Sequence, residues 1–253
     1  RNGELSGFVA SPNGGFFGGE WVKKLETKFC KFFGVKYAIA VNSATSALYC
    51  MLMSSGIEPG DEVITSPYTM HATASSILQC GGIPVFADIE SDTYGLDPKS
   101  VEKKISNKTK AILAVNIFGH GAELLKLKKI AKKHKLLLLE DNSQAPAAKI
   151  ENNQYTGTVG EAGVFSFNRH KTIQSGEGGI LITNSKKIFL KSCLVRNHGE
   201  CVVGPWKIKD ISNTIGQNLR ITEIQAAIAY HQFLKLTKLN KERVKLANRV
   251  SAG

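Results

Sequence analysis

Short apolar runs alternate along the chain with longer stretches in which apolar residues recur every three or four positions. YAIAV (37–41), the EVIT that follows EPGD, IPVFADI (83–89), KTKAILAVNIFG (108–119), LLLLE (136–140), GVFSF (163–167) and GILITN (179–184) read as strands. Between them, GEWVKKLETKFCKFFG, NSATSALYCMLMSSG, TMHATASSILQCG, DPKSVEKKI and LLKLKKIAKKHK have helical spacing, capping residues or glycine stops. In the first helix Trp21, Leu25, Phe29 and Phe32 share a side, with Gly34 as the stop. GVFSF and GILITN resemble a hairpin, and two helices follow, the last over about 221–250.

Strands that are almost continuously apolar are buried on both faces. Their alternation with helices predicts a mainly parallel sheet covered on each side, an α/β fold in three layers. In such sheets ligands gather at the carboxyl ends of the strands, so those ends carry the candidate chemistry. The pattern divides the chain into a glycine-rich loop segment (1–20), a main domain (21–220) and a helical segment (221–253), after which the polypeptide is expected to be incomplete.

Three strand ends stand out. YAIAV runs into NSATSAL, where small hydroxyl residues at a helix N-terminus favour an anion. LLLL runs into Glu140-Asp141-Asn142-Ser143-Gln144, and a carboxylate there needs a partner. GVFSF runs into NRHKTIQSGEGG, which carries Lys171. An anion cradle, a buried acid and a lysine together are what a pyridoxal phosphate site needs. The cradle takes the phosphate, the acid keeps the pyridine nitrogen protonated, and the lysine forms a Schiff base and moves the proton.

Composition narrows the alternatives. A net charge of +12 comes mainly from helical stretches such as LKLKKIAKKHK, read as solvated faces. No run interleaves basic and aromatic residues as a single-strand binder would, so nucleic acid is not an expected partner. No stretch approaches the ~18 apolar residues of a membrane span. Five cysteines with wide, irregular spacing and no CxxC argue against a disulfide framework or a zinc site and for a reducing compartment, the cytoplasm. No metal is expected.

From about residue 15 onward the chain resembles the DegT/DnrJ/EryC1/StrS sugar aminotransferases, within the fold-type I pyridoxal phosphate enzymes. The resemblance is carried, in order, by NSATSAL, GDEVITSPYTMHATA, GGIPVFADIESDTYGLDP, TKAILAVNIFGH, LLEDNSQAPAA, FSFNRHKTIQSGEGGILITN, VRNHG and IGQNLRITEIQAAIA. It implies that Lys171 forms the Schiff base, Asp141 pairs with the pyridine nitrogen and Gln144 lies near the ring's phenolic oxygen. It implies that Ala44, Thr45 and Ser166 hold the phosphate, and that Asn218 reaches a phosphate in the neighbouring subunit of a homodimer. Glutamate would be the amino donor and a nucleotide-linked keto sugar the acceptor, in the making of a glycan or surface polysaccharide.

The chain departs from the family pattern at Ala44, where glycine is usual, and at Met70, where an aromatic ring usually stacks on the cofactor. The family's small C-terminal domain is expected to be missing. Two rival readings follow: a related sugar dehydratase, which carries histidine in place of Lys171, and a non-catalytic regulator or scaffold.

Overall fold

The structure, a computed structural model, describes residues 3–9, 15–200 and 214–252. After a short 3-10 turn (Gly15–Phe17) come α1 (Glu20–Phe33), β1 (Tyr37–Val41), α2 (Ala44–Ser55), β2 (Glu62–Thr65), α3 (Ala72–Gln79) and β3 (Ile83–Phe86). These are followed by α4 (Pro98–Lys104), β4 (Thr109–Val115), α5 (Leu124–His134), β5 (Leu137–Asp141), β6 (Ala162–Ser166) and β7 (Gly179–Thr183). The last elements are α6 (Lys186–Arg196), α7 (Glu223–Phe233) and α8 (Leu236–Ser251). Local signals account for many boundaries. Gly34 and Gly56 end α1 and α2 in the left-handed region, Asp97 caps α4 ahead of Pro98, and Thr222 with Gln225 forms a capping box on α7.

The sheet has the order β1-β7-β6-β5-β4-β2-β3. β7 runs antiparallel to both its neighbours, and the other pairs are parallel. Residues two apart in a strand share a face, and both faces are covered. Ile39, Val41, Val164 and Leu181 pack with α2 and α6, while Ala38, Ala40, Phe165, Ile180 and Ile182 pack with α1 and α7. At the β4 side, Ile64, Ile112, Ala114 and Leu138 pack with α4 and α5. This is the expected three-layer α/β fold with a mainly parallel, mixed sheet. One buried ion pair ties the layers: Arg196 reaches Glu26 at 2.8 Å, and both engage the backbone of Ala40.

Three expectations need correction. The side of α1 facing the sheet is Val22, Leu25, Phe29 and Phe33, so Trp21 and Phe32 are only partly covered. β3 is not buried on both faces. It pairs with β2 alone, and as the sheet edge it leaves Ile83 and Phe86 exposed. The final helix is two helices. The chain turns at Leu234–Lys235, which buries Leu236 in the core and lets Asn240 donate to Pro146 O at 2.8 Å. Residues 11–14 of the glycine-rich start and Cys201 lie outside the described residues.

Candidate active site

Strand register brings the three strand ends together. Val41 pairs with Gly179, Gly179 with Ser166, and Asp141 with Val164, so the chain's exits from β1, β6 and β5 lie along one edge of the sheet. Gly179 makes the approach possible. A Cβ there would stand 2.6 Å from Ala44 N and from the carbonyl of Ser43, so only glycine lets β7 lie against the start of α2.

The first turn of α2 has the features of an anion cradle. Ser43 Oγ accepts from Ser46 N at 3.0 Å, and Ala47 N bonds to Ser43 O. The N–H groups of Ala44 and Thr45 have no acceptor among the described residues. Two unsatisfied donors at a positive helix end suit a phosphate. The Ala44 methyl packs against the core beneath and does not remove its own N–H. Ser166, at the end of β6, is buried and accepts from Asn168 N at 3.2 Å.

The adjacent acids at the end of β5 have separate partners. Glu140 is fully buried and accepts from Gly157 N, Val159 N, Gly160 N and Asn116 Nδ2 at 2.6 to 3.0 Å. Burial pushes its carboxyl up, and those four donors pull it back. Glu140 therefore pins the 157–160 loop. Asp141 is 5% exposed, with Oδ1 accepting from Ser143 N at 3.1 Å and Oδ2 from the Thr73 hydroxyl at 2.9 Å.

Lys171 sits in a loop tied to itself. Lys171 N bonds to Asn168 O, Asn168 Nδ2 to Glu177 Oε1, and Ser175 to both Phe167 O and Glu177 O. The lysine is half-buried, and its amine has no hydrogen-bond or ion-pair partner among the described residues. Burial holds it below the ordinary lysine range, opposed by the Asp141 charge. A desolvated amine that gives up its proton more easily is suited to attack a carbonyl.

The other expected residues have different settings. Gln144 is half-buried, and its Oε1 accepts from Phe118 N at 3.4 Å. Met70 is 58% exposed in the stretch between β2 and α3. Asn218 is exposed on a segment that returns beside β1, where Asn42 N bonds to Leu219 O and Asn42 Nδ2 reaches Asn218 O. Sequence reasoning overlooked Thr73. Thr73 lies one turn after Thr69 in an uncharged helix start, with no spacing that marks it. A cavity of about 690 Å3 beside α8 includes none of these residues and is an open groove along that helix. Among the described residues, no group of three or more His, Cys, Asp or Glu is placed to hold a metal. Among them, too, no helix is long and apolar enough to cross a membrane.

The profile of the DegT/DnrJ/EryC1/StrS aminotransferase family matches residues 9–253. The chain belongs to that family. Relatives of this DegT/DnrJ/EryC1/StrS member include GDP-perosamine synthase from Vibrio cholerae, 36% identical over 242 residues, covering 96% of this chain and 63% of that protein. Similar solved structures include DesV from S. venezuelae (TM-score 0.83, 32% identity, 91% of this chain and 60% of that one). Another is ntda from Bacillus subtilis with bound cofactor pmp (TM-score 0.81, 29% identity, 91% and 52%). The chain spans less than two thirds of the length of each of these proteins.

Proposed function

We propose that the protein is a pyridoxal phosphate-dependent aminotransferase. It moves an amino group from an amino acid, glutamate, to a keto group on a nucleotide-linked sugar for glycan or surface polysaccharide synthesis. The observation that carries this reading is a half-buried Lys171 whose amine has no hydrogen-bond or ion-pair partner among the described residues and feels the Asp141 charge, along a sheet edge that also presents the N–H groups of Ala44 and Thr45, free among the same residues. The residues present fit the cofactor: two free donors for its phosphate, a carboxylate for its ring nitrogen and an amine for its carbonyl carbon.

When bound, the cofactor supplies an electron sink and carries the amino group between the two substrates. The chain's residues do the rest. Ala44 and Thr45 N–H groups, with Ser166, bind the phosphate. Asp141 stabilises a positive charge on the ring nitrogen. Lys171 Nζ, when neutral, takes the proton from the donor's α-carbon, which burial favours. Gln144 and Met70 would border the ring. Asn218 would serve the site of a second copy in a homodimer, for which its exposed position is suited. Residues 21–220 would hold the cofactor. Free thiols at Cys30, Cys50, Cys80 and Cys193 are compatible with the cytoplasm.

The test supplies purified chain with pyridoxal phosphate and L-glutamate. Mass spectrometry should find pyridoxamine phosphate and 2-oxoglutarate with wild type and neither with Lys171→Ala. Cofactor binding with no such conversion would favour the regulator reading.

A further inference from the structure

The hydrogen bond from Thr73 to Asp141 continues further. Thr73 Oγ1 lies 2.9 Å from Thr69 Oγ1, and distance alone leaves the donor open. Proton counting decides it. Each hydroxyl carries one hydrogen, and an ionised carboxylate only accepts. Thr73 gives its hydrogen to Asp141 Oδ2 at 2.9 Å, so Thr69 must give its own to Thr73. The chain Thr69 to Thr73 to Asp141 runs one way and ends on the carboxylate.

The setting strengthens this relay. Thr73 is fully buried and Asp141 nearly so, which keeps water from competing, and linked hydroxyls polarise one another. Thr69 lies in the stretch between β2 and α3, also held by Thr73 N to Met70 O and by Tyr68 N to Ser66 Oγ. In the sheet order, β4 stands between β2 and β5, so the relay spans a strand to join their ends.

A carboxylate has about four acceptor positions. Ser143 N–H and the Thr73 hydroxyl take two, one on each oxygen. With both in place the group cannot turn about its last bond, and the two unused positions keep a fixed direction. We propose that Thr73, backed by Thr69, is a positioning residue that aims the Asp141 carboxylate at a protonated heteroaromatic nitrogen. The identity of that ligand as a pyridinium rests on the proposed function, but the relay itself does not.

Two substitutions in the full chain separate hydroxyl from shape. Thr73→Val keeps the shape and removes the hydroxyl, while Thr73→Ser keeps the hydroxyl. Without cofactor, hydrogen exchange at the Ser143 amide reports how firmly Asp141 is held. Thr73→Val should speed it about tenfold, in line with losing one hydrogen bond to a charged group, and Thr73→Ser should stay near wild type. With pyridoxal phosphate, Thr73→Val should weaken binding about tenfold and alter the pH dependence of the visible band, and Thr73→Ser should restore both. Thr69→Val should shift each readout the same way by less. The relay is overturned if Thr73→Val matches Thr73→Ser in Ser143 exchange. It is also overturned if both variants lose cofactor in proportion to a shared fall in melting temperature. Failure of the wild-type chain to bind pyridoxal phosphate would refute the proposed function, and the Ser143 exchange would still decide the relay.

Discussion

Gly179→Ala is a small change with a calculable consequence. The new Cβ would lie 2.6 Å from Ala44 N and from both carbonyl atoms of Ser43, against the 3.4 Å at which ordinary contact begins. These are backbone atoms, so no side-chain rotation relieves the clash. Either β7 or the start of α2 must move by about 0.8 Å. Gly179 is the shared partner of Val41 and Ser166, so a shift of β7 strains two ladders, while a shift of α2 displaces the Ala44 and Thr45 donors. Overpacking of this kind costs about 1–3 kcal/mol. A chain of this size loses about 2–4 °C of melting temperature per kcal/mol. Thermal unfolding by circular dichroism should therefore show a clear drop, and titration with pyridoxal phosphate should show weaker binding in the protein that stays folded. Wild-type melting and wild-type affinity together would refute the claim that this close approach builds the cradle.

Other outcomes follow from the buried charges. Lys171→Met removes a partly desolvated amine, so without cofactor the melting temperature should rise, while cofactor binding should be lost. Because the folded amine binds its proton less tightly than the unfolded one, the gain should be largest at neutral pH and shrink as pH rises towards the ordinary lysine range. A melting series over pH checks both sign and trend. Glu140→Gln turns an NH2 group towards two of the four donors now satisfied, leaving two donors unsatisfied at about 1–3 kcal/mol each in denaturant unfolding. Arg196→Met strands the Glu26 carboxylate and should cost about 3–5 kcal/mol, and adding Glu26→Leu should recover part of the loss.

The sheet and most helices were legible because apolar runs are punctuated by glycine, proline and capping residues. The break between α7 and α8 was not, since Leu234–Lys235 contains neither glycine nor proline. It follows from tertiary contacts at Leu236 and Asn240. The inward side of α1 was misjudged because Trp21, Val22, Phe32 and Phe33 give two apolar sides one position apart. Packing against the sheet selected Val22 and Phe33. At the site, Asp141 could be singled out as a carboxylate at the end of an apolar strand, and Lys171 as a lysine between two apolar runs just before a glycine-rich turn. Which of two adjacent acids is held by the 157–160 loop and which accepts from Thr73 depends on strand pleat and tertiary packing, which no local pattern reveals. Thr73 could not be found for a related reason. A threonine at an uncharged helix start acquires its role only when β2 and β5 are brought into one sheet.

The most direct test of the central claim is chemical trapping. The chain is incubated with pyridoxal phosphate, reduced with borohydride, digested and sequenced by mass spectrometry. The account predicts a pyridoxyl group on Lys171. A label on a different lysine, or none on a folded and cofactor-saturated chain, would contradict it.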